Sequence, residues 1–264
     1  MLQAPAPSPY DLNLRLIGFP VRVSFTFWVG SVLFGYGIVR SVEFAMADES
    51  PGMAPLLVLW AGCMLVSILV HEMGHAVAFR CFGVPSRIVL YHMGGLAIPT
   101  RGDGYGDGYS DDRMLTLSPG RSLIVSAAGP VTQLGSAVLL AALIHVAGYY
   151  VDGLRMLPGG VDDLINRDAD QILSSPIARA AVIFYVLPSV FWAVLNCVPV
   201  YPLDGGRVVR SLVELLGAPA AVWLWTGVIV GGAMAAYGYW GGQLFLAILF
   251  AVLAGGNYQT ASRL

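Results

Sequence analysis

Long apolar segments dominate this chain and decide what it can fold into. A helix needs about 20 apolar residues to cross a bilayer, with a range of roughly 17–25. Five segments reach or approach that length: Val23–Val39, Met53–Phe79, Ser122–Val151, Ile177–Pro199 and Ala220–Trp240. A sixth, Gln243–Gly256, is short. Charges are too scarce for the alternative, a soluble fold. Only 11% of the 264 residues are charged, against 57% hydrophobic, whereas soluble domains carry about 25% charged residues. The expectation is an all-α polytopic membrane protein of about six transmembrane helices, a single domain over residues 1–264 in contact with the lipid bilayer. The basic residues are 14 arginines with no lysine and the net charge is −2, so there is no electrostatic footprint for nucleic acid. Cys63, Cys81 and Cys197 are too few for a disulfide framework. Met1–Pro20 has several prolines but no basic n-region or cleavage site, so it reads as retained.

Arginine placement orients the spans. With six spans and a cytoplasmic N-terminus, ten arginines fall inside (15, 22, 80, 87, 101, 113, 121, 207, 210, 263) and four outside (40, 155, 167, 179). That asymmetry satisfies the positive-inside rule. Arg101–Arg121 is rich in Gly, Asp and Tyr and reads as a flexible cytoplasmic loop. Asp152–Pro176 reads as an external loop with room for a short helix. Ile88–Pro99 is apolar but too short to cross. Its β-branched residues around Gly94–Gly95 predict a short hairpin or re-entrant segment, tolerated at membrane depth where protein or a wet cavity receives it.

Charged groups inside a span are costly and mark function by default. The second span contains His71-Glu72-Met73-Gly74-His75. His71 and His75 lie one turn apart on one helix face and can share a zinc ion. Glu72, beside the first ligand, can act as general base toward water at the metal. With four His and four Glu in the chain, this pattern arises by chance on the order of once in a thousand such sequences. The alternative is a cluster that merely glues helices together, which needs fewer polar groups. At about 1.5 Å per residue, His75 lies roughly 8 Å and His71 roughly 14 Å from Arg80 at the helix end. The metal would then sit within the hydrocarbon layer near the cytoplasmic side.

A catalytic zinc needs a third protein ligand and an open position. Asp204 is favoured. Pro199 and Pro202 stop the fourth span, and Gly205–Gly206 permit a tight turn that aims the carboxylate back at the helices. An Asp-Gly-Gly on its own would read as a turn or a helix N-cap. Cys197 is a minor alternative ligand. His92, just before the glycine pair, could line the site or pack, and His145 reads as a packing residue deep in the third span.

These residues resemble the site-2 proteases, zinc metalloproteases that cut within the membrane. His71–His75 looks like their HExxH span, Asn196-x-x-Pro199-x-x-Pro202-Leu203-Asp204-Gly205 like their NxxPxxPLDG motif, and Ala128-Gly129-Pro130 like their AGP segment. Gly94–Gly95 sits where that family has a glycine pair in a membrane-embedded hairpin. Where the family often has Asn three residues after the AGP proline, this chain has Gln133. The resemblance implies one Zn2+ per chain held by His71, His75 and Asp204, with Glu72 as the catalytic base that later protonates the leaving amine. Asn196 would steady substrate or oxyanion, with Gly94, Gly95 and His92 as further substrate-side candidates. The implied partners are transmembrane protein substrates, such as membrane-anchored transcription or anti-sigma factors, with a regulatory membrane partner left open. The expected form is compact: 101–121 is too short for an inserted PDZ domain, and no CBS pair is expected. Two alternatives stand beside this reading. A di-iron membrane oxidase would need a second Glu-x-x-His. A zinc transporter or sensor would need further ligands along an exchange path. The first span, or the fifth and sixth, is expected to gate substrate entry.

Overall fold

A computed structural model describes residues 5–100, 117–152, 154, 166 and 171–264. Most of the expected 101–121 loop, and of the expected helix in the 152–176 segment, lies outside these described residues. Two short strands open the fold, β1 (Leu12–Leu16) and β2 (Phe19–Val23). Helices α1 (Phe25–Met46) and α2 (Met53–Cys81) follow, then β3 (Ser86–Tyr91) and β4 (Gly94–Pro99). The rest is helical: α3 (Pro119–Val146), α4 (Pro176–Asn196), α5 (Asp204–Leu215), α6 (Ala220–Trp240) and α7 (Leu244–Ala261). All but α5 are long and apolar enough to cross a membrane.

The helices follow the hydropathy, with shifted ends. The first begins at Phe25 rather than Val23, because Val23 is the last residue of β2, and it continues past Val39 to Met46. The last runs to Ala261, beyond the expected Gly256. Burial is inverted relative to a soluble protein. Val58, Val66, Val131, Leu139, Ile229 and Val252 face outward, whereas Ser67, His71, Glu72, Gln133, Ser189 and Asn257 are buried. Lipid can solvate the first set; only protein partners can satisfy the second.

Residues 88–99 do form a hairpin, but its turn is His92–Met93, and Gly94 and Gly95 begin β4 opposite Tyr91 and Leu90. The hairpin belongs to a four-stranded sheet in the order β1-β2-β3-β4, with β2 and β3 parallel and the outer pairs antiparallel. The N-terminal strands are absent from the expected architecture, although Leu12, Leu14 and Leu16 alternate with Asn13 and Arg15, and Phe19, Val21 and Val23 with Pro20 and Arg22; at five residues each the pattern is short. Phe19, Val21 and Val23 nonetheless pack into one core with Phe27, Leu56, Trp60, Ile88 and Leu90.

Local polar contacts fix where the elements start and stop. The Trp60 indole N–H donates to the Ser31 carbonyl at 2.8 Å, pinning α2 to α1. The Arg80 guanidinium lies 3.4 Å from the Phe19 ring centroid and donates to Ile17 O. This joins the end of α2 to the β1–β2 turn. At the opposite end, Arg179 pairs with Glu49. Asp11 anchors the start of α1. Its carboxylate accepts from the backbone N–H of Phe25 and of Ser8, each at 3.1 Å, and from Arg22. Burial works against the charged form of Asp11, but the two backbone donors and the Arg22 guanidinium outweigh it and hold the carboxyl below its ordinary 3.8. A lowered folded-state pKa contributes stability above the unfolded value and loses it as the pH falls through the folded value. Asp11→Asn is therefore expected to destabilise the detergent-solubilised protein by about 1 kcal/mol near pH 7. In thermal unfolding the gap to wild type should narrow as the pH falls below 3.8. A gap that does not change with pH would show that the charge of Asp11 is irrelevant.

Candidate active site

Three membrane helices and one short helix converge on a polar cluster. His71 and His75 come from α2 and are both buried. Asp204 arrives from the start of α5. Its Oδ2 lies 3.0 Å from His71 Nε2 and 3.3 Å from His75 Nε2, and the two Nε2 atoms are 3.2 Å apart. Among the described residues this is the group of His, Cys, Asp and Glu side chains able to hold a metal ion. The donor set fits zinc. Bonds of about 2.0–2.1 Å at tetrahedral angles place ligand atoms about 3.3 Å apart, with a fourth position left for water or substrate.

The remaining ring nitrogens are also accounted for, both by α3. His75 Nδ1 faces the Val125 carbonyl at 2.7 Å, and His71 Nδ1 faces Gln133 Oε1 at 2.9 Å. Partners of this kind fix which nitrogen of a ligating imidazole meets the metal. Sequence reading missed both. A backbone carbonyl leaves no sequence signal. Gln133 was visible only as a departure from the expected Asn.

The AGP segment has a steric purpose. A methyl group at Gly129 would lie 2.2 Å from His75 Nε2 and 2.8 Å from His71 Nε2. At Gly74 on the facing helix it would lie 2.5 Å from the Ala128 carbonyl. The two helices cross where both lack side chains, and this brings α3 over the ligands.

Asp204 reaches the site differently from the expectation. Helix α4 ends at Asn196, and residues 197–203 carry the chain past Pro199 and Pro202, with the Tyr201–Pro202 peptide cis. Leu203 is the residue before the helix, and Asp204, Gly205 and Gly206 form the first turn of α5 rather than a separate tight turn. The glycines matter for packing. A methyl group at Gly205 would meet the Cys197 carbonyl at 2.2 Å, and one at Gly206 the Tyr201 nitrogen at 2.3 Å. The segment is clasped from the other side by Asn257 of α7, whose amide donates to Tyr201 O at 2.7 Å. Cys197 is exposed and outside the ligand group, although its backbone supports α5.

Glu72 is buried beside the histidines, and β4 crosses it. A methyl group at Gly95 would lie 2.6 Å from Glu72 Oε1. Gly94 has φ +114°, open to glycine at little cost, and its backbone meets the Trp192 ring, where a methyl group would lie 2.5 Å away. A cavity of about 420 Å³ extends from this cluster. His71, Glu72, His75, Asp204, Gly95 and Asn196 share its wall. His92 lines it too, but its Nδ1 faces Thr26 Oγ1 at 3.2 Å and it is not part of the ligand group. The Asn196 amide N–H donates to Trp192 O at 3.0 Å. His145 lies in the last turn of α3, outside the cluster.

The fold and site define a multi-pass membrane protein with a His-His-Asp metal centre beside a buried carboxylate. The family model of Peptidase family M50 matches residues 60–229, more than half of the chain, and the chain belongs to that family. Zinc metalloprotease MJ0392 of Methanocaldococcus jannaschii is 22% identical over 211 residues, which cover 78% of this chain and 46% of that protein. The chain thus spans about half the length of this curated relative. A solved structure of a site-2 protease from Methanocaldococcus jannaschii aligns over 96% of this chain and 95% of its own, at 16% identity and a TM-score of 0.44.

Gly129→Ala is expected to displace the imidazoles and lower zinc affinity at least tenfold in chelator competition. Gly135→Ala, on the same helix with open space around it, should leave zinc affinity unchanged. Equal affinities for the two variants would show that the close passage of α3 is not what shapes the centre.

Proposed function

We propose that this chain is a zinc metalloendopeptidase that hydrolyses a peptide bond within or near the cytoplasmic end of a substrate transmembrane helix. The observation that carries this reading is Glu72. It is a buried carboxylate set beside a three-ligand metal group, on the wall of a cavity formed by membrane helices. Membership of Peptidase family M50 and the name of the curated relative support the same chemistry.

His71, His75 and Asp204 hold the zinc, which when bound supplies Lewis acidity toward a peptide carbonyl and toward water. Glu72 takes the proton from the attacking water and delivers it to the departing amine nitrogen. A new C–O bond replaces the C–N bond, and the carboxylate is regenerated. A helical amide is shielded and hydrogen-bonded, so the substrate must unwind locally, and Gly or Pro near the cut lowers that cost. β4 ends the sheet beside Glu72, so an extended substrate can add to it as a further strand. Asn196, Gly94, Gly95 and His92 are placed to contact such a strand. Phe34 of α1 and Phe245 of α7 meet at 4.9 Å between ring centroids, and both line the cavity. The gap between these helices is the proposed lateral entry.

The cytoplasmic assignment rests on charge. Arg15, Arg22, Arg80, Arg87, Arg121, Arg207, Arg210 and Arg263 belong to elements at the end of the bundle that carries the sheet and α5, while Arg40 and Arg179 lie at the other. By the positive-inside rule the sheet, and the metal centre near it, face the cytoplasm. Membrane-anchored transcription or anti-sigma factors are the proposed substrate class, carried by the resemblance of the motifs. An oxidase is disfavoured, because the ligand group offers one carboxylate and two imidazoles rather than a carboxylate-rich pair of sites.

Glu72→Gln should retain about one zinc per chain and lose cleavage of a co-expressed membrane substrate by about 10²-fold or more. Asp204→Ala should lose both zinc and cleavage. Membrane proteomics of cells carrying wild-type protein or Glu72→Gln would reveal the substrate as a fragment present only with the former. Full cleavage by Glu72→Gln would end the peptidase reading.

A further inference from the structure

We propose that Gln133 is a positioning residue that selects the metal-binding nitrogen of His71, and that it is held in that role by Ser67 and Ser189. One acceptor beside Gln133 cannot change roles. The Ser67 carbonyl lies 3.3 Å from Gln133 Nε2, and the Ser67 hydroxyl lies 2.9 Å from it. A backbone carbonyl can only accept. Reversing the amide would set oxygen against oxygen there, so the amide NH2 must face Ser67. The amide oxygen is then committed to His71 Nδ1 at 2.9 Å. Opposite an acceptor, Nδ1 must carry a proton. The lone pair of the neutral ring is thereby left on Nε2, the atom that faces His75 and Asp204.

The chain of commitments continues outward. While accepting from Gln133, the Ser67 hydroxyl also bonds Ser189 Oγ, 2.8 Å away on α4, with either oxygen able to donate. Ser67, Gln133 and Ser189 are each fully buried, so no water can stand in for a lost partner. Ser136 adds a further link between α3 and α4, meeting Tyr185 OH at 2.8 Å. The two imidazoles are unequal in this respect. His75 leans on the Val125 carbonyl, which no side-chain substitution removes. His71 depends on a side chain, and that side chain is the one that departs from the resembled motif. One methylene longer than Asn, Gln133 reaches His71 and Ser67 together.

This inference rests on the metal-binding part of the proposed function but not on peptidase activity, because its readout is zinc binding without substrate. Zinc affinity of the purified full chain would be measured in detergent by chelator competition, alongside thermal unfolding of the zinc-free protein. Gln133→Met fills a similar volume without polar atoms. It should weaken zinc binding about 10–100-fold, while the zinc-free protein still unfolds in one cooperative transition, at a lower temperature than wild type because His71 and Ser67 lose a buried partner. Gln133→Glu restores an acceptor to His71 but sets its second oxygen against the Ser67 carbonyl, so it should recover part of that loss, which a packing role would not produce. Wild-type affinity in Gln133→Met, or equal losses in the Met and Glu variants, would overturn the proposal. Should Gln133→Met not fold, the double variant Ser67→Ala, Ser189→Ala decides. It leaves Gln133 in place, held only by the Ser67 carbonyl. A severalfold fall in affinity supports the proposal and an unchanged affinity overturns it. If wild-type protein binds no zinc, the metal-binding reading itself fails, separately from this assignment.

Discussion

Two membrane helices approach so closely that neither can carry a methyl group at the crossing, and the site depends on that approach. Gly74 of α2 leaves room for the Ala128 carbonyl, and Gly129 of α3 leaves room for the two imidazoles. In lipid there is no hydrophobic drive to press helices together; small residues allow van der Waals contact and interhelical hydrogen bonds instead. Here the contact does more than hold a bundle. It places the Val125 carbonyl and the Gln133 amide against the ring nitrogens that do not face the metal. Ligand geometry and helix packing are therefore one feature.

The second constraint is the cost of polar groups in an apolar bundle. Several buried polar side chains at the centre find their partners on other helices. Ser67 meets Ser189, Gln133 meets both Ser67 and His71, and Asn257 holds the segment that delivers Asp204. Because an unmade hydrogen bond in this setting costs more than a made one gains, the network favours one arrangement of α2, α3, α4 and α7. The fold tolerates an irregular run of turns at residues 197–203 and a sheet edge at β4 because protein, not lipid, surrounds them.

Much of the architecture was legible. Six apolar runs became six membrane helices, with ends displaced by up to seven residues, as at Met46 against the expected Val39. HExxH spacing placed His71 and His75 on one face, and the proline-rich approach to Asp204 signalled a break after α4. Other features were decided by their surroundings. β1 and β2 are five residues each, and they are strands because β3 and the core offer them a partner. Gly205 and Gly206 suggested a turn, since sequence shows flexibility but not the Cys197 and Tyr201 backbones pressed against them.

By itself, then, the sequence determined the solvent and the chemistry. A chain this poor in charge belongs in a bilayer, and the few ionisable residues left in its apolar segments mark the candidate site. Only the tertiary structure decided how they act together. Asp204 stands 133 residues from His71, and Gln133 stands 62. Residues so far apart meet only where helices cross, and the crossing is set by close packing and hydrogen-bond satisfaction across the whole bundle, which no local pattern encodes.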